Sequence, residues 1–253
     1  MKVELISRTQ GLGTFKDVSI DELIVGQARV STSRELNDLF KEPEKLLRHC
    51  ITNQHWSIFE LANLGFYVET SRAMGRELLR HGKMVGLTEF SQRYSSDIEF
   101  EDVEFRIQSK SNRQSSTDPI DPKLIVKDSP VGGYRLIEFQ KDNVKYLGEV
   151  YNRAIEEGVA KETARFILPE CTRTKMYFNF RVRELITFLN ARLHKTAQKE
   201  IRLVAEQVRD IFIQECPIIA EALFKFDNAY EVPILDRIVL EKYKVYYERE
   251  RKE

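Results

Sequence analysis

The chain has 253 residues, and its forty Lys and Arg are balanced by forty Asp and Glu, so the formal net charge is zero. That balance excludes the simplest general binder of nucleic acid or membrane surface, while leaving room for a local basic patch. With 42% hydrophobic and 32% charged residues, the composition is that of a globular, soluble chain rather than a disordered one.

No stretch approaches the roughly eighteen apolar residues a membrane-spanning helix needs. The first residues, Met1 to Arg8, carry charge where a secretory signal would be apolar. Three cysteines (Cys50, Cys171 and Cys216) without a Cys-x-x-Cys motif suit a reducing cytoplasm. Four histidines without a His-x-x-x-His pair argue against a zinc site, and no metal is expected.

Val3 and Leu5, then Val18 and Ile20, fit one or two strands. Pro43 opens a short helix. Leu64, Phe66 and Val68 alternate with Gly65, Tyr67 and Glu69, the pattern of a half-buried strand. Thr70 or Ser71 can cap a following helix that runs to about His81 and stops at Gly82. Residues 97–135 hold the longest polar and Pro/Gly-rich run, which predicts a surface excursion within one domain. Helical spacing then returns, with Leu136, Gln140, Val144, Leu147, Tyr151 and Ile155 on one face. A second helix is predicted over 180–193, and a third from Ala197 to Phe212, ended by Pro217. The charged, tyrosine-bearing tail at 236–253 reads as a solvated helix or a partner contact. The expected fold is therefore α+β: a mostly helical single domain over 1–253, with a small antiparallel sheet whose strands lie in the first hundred residues.

Arg72, Arg76 and Arg80 are spaced i, i+4, i+8 and share a helix face, and Glu77 and His81 form a second i, i+4 pair. In Glu89-Phe90-Ser91-Gln92-Arg93 an extended backbone would point Glu89, Ser91 and Arg93 the same way, a fair cradle for phosphate. Arg72 by itself fits a solvated face better. Arg181 and Arg192 lie three turns apart beside an apolar stripe. Burying them requires an anion, either Glu184 or Glu200 within the chain or a ligand. Cys50 and Cys216 read as core residues, and Cys171 as an inert loop thiol. No Walker loop, dinucleotide glycine fingerprint, nucleophile elbow or HExxH motif is present.

These pieces, in this order, resemble the flavin-dependent thymidylate synthase family. The similarity runs from Ala28 to about Phe226 through Ala28-Arg-Val-Ser, the stretch His55-Trp-Ser57-Ile-Phe59-Glu60, and Arg80-His81 followed by Glu89 to Ser95. It continues in Glu162-Thr-Ala-Arg165, Phe188-Leu-Asn-Ala-Arg192 and Ala197-Gln-Lys-Glu200. The chain departs from the family at Gly82, where an arginine is usual, and spaces Ser91 one residue further on; Glu77 stands where glutamine is usual.

The resemblance implies methylation of dUMP to dTMP, with 5,10-methylenetetrahydrofolate as carbon donor, FAD as redox carrier, NADPH as reductant and no protein nucleophile. It implies a homotetramer with sites between subunits. Glu77, Arg80, Glu89, Phe90, Ser91, Gln92, Arg93 and Arg165 would hold dUMP, and Arg192 would act at the uracil ring. His55, Ser57, Arg80, His81, Gly82, Lys83, Glu89, Arg181, Arg183 and Thr187 would lie by FAD. The departure at Gly82 motivates an alternative, a non-catalytic module that binds nucleotides or single-stranded nucleic acid through its arginine faces.

Overall fold

The structure is a computed structural model that describes residues 1–32, 38–81, 84–125 and 133–224. Strand β1 (Lys2–Arg8) is followed by helix α1 (Ile20–Ala28), where a strand over Val18 and Ile20 was expected. The reason is local. Ser19 caps the helix: its hydroxyl accepts the Glu22 N–H at 3.2 Å, while the Glu22 carboxylate takes the Ser19 N–H at 2.9 Å. This reciprocal box satisfies two N–H groups that a helix start otherwise leaves unpaired. Helix α2 (Pro43–Thr52) begins on the predicted proline.

Strand β2 (Asn63–Ser71) and helix α3 (Arg72–Leu79) follow as expected. Ser71 is the N-cap, but its side chain makes no capping bond. The Arg72 and Ala73 N–H groups go instead to the carbonyls of Thr172 and Glu170, at 2.9 and 3.1 Å. Strand β3 (Gly86–Glu89) then leads into the 97–135 excursion. That region carries two hairpins rather than loop alone: β4 (Arg106–Gln108) with β5 (Ser116–Pro119), and β6 (Lys123–Ile125) with β7 (Gly133–Arg135). Residues 126–132 lie outside the described residues. Helix α4 (Leu136–Glu156) presents the predicted face, and Gly148 lets it close on the Phe100 ring, since a Cβ there would sit 3.2 Å from that ring.

After the short α5 (Lys161–Ala164) comes β8 (Arg173–Arg181), a nine-residue strand. Its position corrects the expectation that strands are confined to the first hundred residues. The four-stranded antiparallel sheet runs in the order β1-β2-β8-β3, so β8 is central and pairs with β2 from Asn63↔Arg181 to Ser71↔Arg173. One face of β2 and β8 (Leu64, Phe66 and Val68; Met176, Phe178 and Phe180) is buried. It joins the core beneath helices α6 (Val182–Arg192), α7 (Lys199–Glu215) and α8 (Pro217–Phe224). Burying each such side chain stabilises the fold by about 1.5–3 kcal/mol. The other face keeps Lys175 and Tyr177 exposed.

Cys50 and Cys216 are core residues as read, and Cys171 accepts a hydrogen bond from Gln140 at 3.4 Å. Asp21 of α1 is fully buried and accepts the Ile218 and Ile219 N–H groups at 2.9 and 3.2 Å, which caps α8. Burial pushes its carboxyl up to about 7, against the pull of those two bonds. The 236–253 tail lies outside the described residues. Among those described, no helix is long and apolar enough to cross a membrane, and no group of three or more His, Cys, Asp or Glu could hold a metal ion.

Candidate active site

Three groups of predicted site residues converge, each built on a different junction of the fold. The first lies where the end of α3 meets the end of α6. Arg192 Nε donates to His81 Nε2 at 2.6 Å, and its Nη2 meets the Glu77 carboxylate at 3.0 Å and the Glu77 carbonyl at 3.4 Å. The anion that an arginine beside an apolar stripe requires is thus Glu77, not Glu184 or Glu200; Glu200 instead binds Arg106 of β4 at 2.6 Å. The His81 ring stands edge-on to buried Phe188, with centroids 5.0 Å apart. Burial, and then the Arg192 charge, push the His81 pKa down to about 4, so the imidazole is neutral above pH 5. Arg80 approaches Glu77 at 3.7 Å with its own side chain exposed. Gly82 and Lys83, the positions of departure from the family, lie outside the described residues.

The second group forms at the start of α6. Arg181 Nη1 donates to Glu60 Oε2 at 3.2 Å, and Arg183 Nη1 donates to Glu60 Oε1. Glu60 closes a single-turn 3-10 helix (Trp56–Glu60) that packs against α6 and is anchored by fully buried Phe59. His55 and Ser57 are exposed on or beside this turn. Thr187, one helical turn beyond Arg183, is exposed and donates to the Arg183 carbonyl at 3.1 Å. Glu184 lies 3.9 Å from Arg181, as the sequence allowed, yet its Oε2 is buried without a hydrogen-bond partner. Asn179 Oδ1, two residues before Arg181 on β8, is unsatisfied as well. Those two oxygens are acceptors and call for a hydroxyl or amino donor, while each arginine engages these acids through Nη1 alone and keeps donors for an anion. A large polar cofactor bearing phosphates fits this donor set.

The third group surrounds the turn after β3. Here the extended backbone expected through Arg93 ends early. Phe90 N–H still bonds the Lys175 carbonyl at 2.8 Å, but the Tyr94 and Ser95 N–H groups both fold back onto the Ser91 carbonyl at 3.1 Å. Glu89, Ser91 and Arg93 therefore do not line one face. Glu89 accepts the Thr174 hydroxyl at 2.8 Å, and Gly75 leaves room for that carboxylate against α3. Gln92 is buried and accepts from Arg72, which removes Arg72 from the exposed arginine face. Arg93 and Arg165 meet at one residue: Arg93 reaches the Glu162 carboxylate at 3.4 Å, and Arg165 Nε donates to the Glu162 carbonyl at 3.2 Å. The Arg93 and Glu162 side chains are 61% and 56% exposed. An ion pair that open contributes about 0–1 kcal/mol, so an arriving phosphate can displace it.

Sequence reasoning missed the organising acids. In the sequence Glu60 stands out only as part of a motif, and Glu162 does not stand out as a partner of two arginines. Nothing in local spacing signals either, because their arginines lie more than a hundred and about seventy residues away for Glu60–Arg181 and Glu162–Arg93.

Residues 16–218 match the family model described as thymidylate synthase complementing protein. The chain belongs to this family. It is 37% identical over 225 residues to a probable flavin-dependent thymidylate synthase of Paramecium bursaria Chlorella virus 1, covering 88% of this chain and 99% of that one. It is 35% identical over 206 residues to the flavin-dependent thymidylate synthase of Synechocystis sp., covering 81% and 90%. Among solved structures, a UMP/dUMP methylase, PolB from Streptomyces cacaoi bound with 5-Br dUMP, superposes with a TM-score of 0.65 at 25% identity. That match covers 89% of this chain and 95% of the other. Membership in this family does not favour the non-catalytic nucleic-acid module.

Proposed function

We propose that this chain is a flavin-dependent thymidylate synthase that converts dUMP, methylenetetrahydrofolate, NADPH and a proton into dTMP, tetrahydrofolate and NADP. The observation that carries the reading is the held guanidinium of Arg192, whose Nη1 has no partner among the described residues. It sits in a chain whose relatives carry this activity in their names.

Arg93 and Arg165 bind the monophosphate through several N–H donors each. Ser91 and Gln92 shape the turn that presents Arg93, and Phe90 ties that turn to β8. Arg192 stabilises negative charge on the uracil ring as its N3 proton departs, which enriches the carbon to be alkylated. Glu77 and Arg80 border that charge. Arg181 and Arg183 hold the phosphates of FAD, with His55, Ser57, His81 and Thr187 beside it and Glu89 at the shared edge. When bound, FAD supplies the hydride that completes the methyl group.

Within one protomer the Arg93–Arg165 pair adjoins the start of α3, through Gln92 and Arg72, while Arg192 sits at its far end. Eight helical residues at about 1.5 Å each separate the two by about 12 Å of helix. Assembly as a homotetramer, with phosphate grip and uracil grip drawn from different subunits, accounts for that separation. The work is cytoplasmic. The test is a flavin spectrum: the loaded protein is yellow and its absorbance shifts when dUMP is added, whereas failure to take up FAD on reconstitution refutes the assignment.

A further inference from the structure

Arg192 has five N–H donors on three nitrogens, and the fold engages two of those nitrogens. Nε bonds His81 at 2.6 Å, while Nη2 bonds the Glu77 carbonyl at 3.4 Å and ion-pairs with the Glu77 carboxylate at 3.0 Å. A guanidinium is planar, so bonds at two of its nitrogens fix both its position and its rotation. What remains free is Nη1, with two N–H groups and no partner among the described residues.

The bond at Nε depends on how His81 is itself held. Its backbone N–H bonds the Leu78 carbonyl at 3.0 Å, and its carbonyl accepts the Met84 N–H at 3.3 Å. Its ring is set at 86° to Phe188, which is fully buried on α6. The imidazole can receive the Arg192 proton only as a neutral ring with its lone pair on Nε2. The groups facing it favour that state in sum. Arg192 from α6 and Arg80 from the end of α3 disfavour a charged ring, as does burial, and Glu77 alone favours one. Glu77 and His81, four residues apart, therefore act as two jaws, one anionic and one neutral.

We propose that His81 is a positioning residue for Arg192: by accepting the Nε proton it fixes the guanidinium so that Nη1 is the nitrogen offered to the uracil ring. The proposal rests on the reading of Arg192 as the group that meets uracil, and deepens it by assigning the residue that aims it. A misplacement of about 1 Å in such a group can cost about a hundredfold in rate.

The experiment compares the FAD-loaded wild-type protein with His81→Gln, whose amide oxygen can accept the Nε proton, and His81→Phe, which keeps a ring against Phe188 but accepts nothing. Rates are taken per bound flavin. His81→Phe should lower kcat about a hundredfold while the KM for dUMP changes less than about threefold, and His81→Gln should recover at least tenfold of that loss. Equal losses in both variants, or an unchanged kcat per flavin in His81→Phe, overturn the proposal.

Neutron diffraction from the wild-type protein supplies a readout that needs neither substitution nor turnover. It should show the Arg192 Nε deuteron directed at a His81 Nε2 that bears none. A deuteron on Nε2, or an Nε–D pointing elsewhere, also overturns it. Wild-type protein that takes up FAD but forms no dTMP refutes the activity instead, and the neutron map still decides whether His81 holds Arg192.

Discussion

Replacing Arg192 with alanine is the sharpest perturbation of the proposed chemistry. The side chain is 20% exposed and makes three contacts at 2.6, 3.0 and 3.4 Å, so its loss leaves the His81 acceptor unpaired and the Glu77 carboxylate with only the exposed Arg80 at 3.7 Å. Leaving a buried acceptor unsatisfied costs about 1–3 kcal/mol, and these groups are partly open to water, which places the stability loss near the low end. The fold should survive, because neither partner belongs to the packed core. The effect on rate is separate and larger. Removing a donor that stabilises charge developing in the transition state costs about 10²–10³ in turnover, or about 2.7–4 kcal/mol. Release of tritium from dUMP labelled at the alkylated carbon, measured per bound flavin at saturating folate and NADPH, reads that step. The account predicts normal FAD content with turnover reduced at least a hundredfold. Turnover within tenfold of wild type, with FAD retained, would remove Arg192 from the mechanism.

Arg93→Ala should weaken dUMP binding tenfold or more with little change in melting temperature, since its pair with Glu162 is exposed; titration followed by flavin absorbance checks this. Phe188→Ala should destabilise the protein by about 3–5 kcal/mol, read by urea unfolding, because the ring is fully buried between Phe180 and His81. Burial raises the folded-state pKa of Asp21 to about 7 from an ordinary carboxyl value of 3.8, so the folded protein holds that proton more tightly than the unfolded chain. Its contribution is therefore full below about pH 4 and is lost as pH rises to about 7. Asp21→Asn should remove this slope, so the stability of wild type minus that of the variant should fall as pH rises from about 4 to about 7. A difference that rises with pH would show that the two N–H bonds, rather than burial, govern Asp21.

Periodicity made the helices legible. The runs 136–155 and 197–212 name their own buried faces, because a helix brings i, i+4 and i+7 together whatever surrounds it. The Ser19–Glu22 capping box is equally local, yet the β-branched Val18 and Ile20 on either side of Ser19 favour a strand by residue type. Strand β8 is harder to see. Arg173, Lys175 and Arg181 flank its apolar positions, and its central place in the sheet comes from pairing with β2 a hundred residues earlier. The site divides the same way. The i, i+4 relation of Glu77 and His81 was visible, but that both close on Arg192 is set by how α3 and α6 meet. The motif order located the arginines, whereas the acids that hold them, Glu60 and Glu162, emerge only when distant segments touch. The turn at Ser91 folds back because two N–H groups find one carbonyl, a choice the alternating residues do not disclose.

One measurement tests the central claim most directly: mass-spectrometric detection of dTMP after the purified, FAD-loaded protein is incubated with dUMP, methylenetetrahydrofolate and NADPH. The account predicts one dTMP for each NADPH consumed in coupled turnover, and none when the folate, the reductant or dUMP is left out. A fully flavin-loaded protein that consumes NADPH yet makes no dTMP would contradict it.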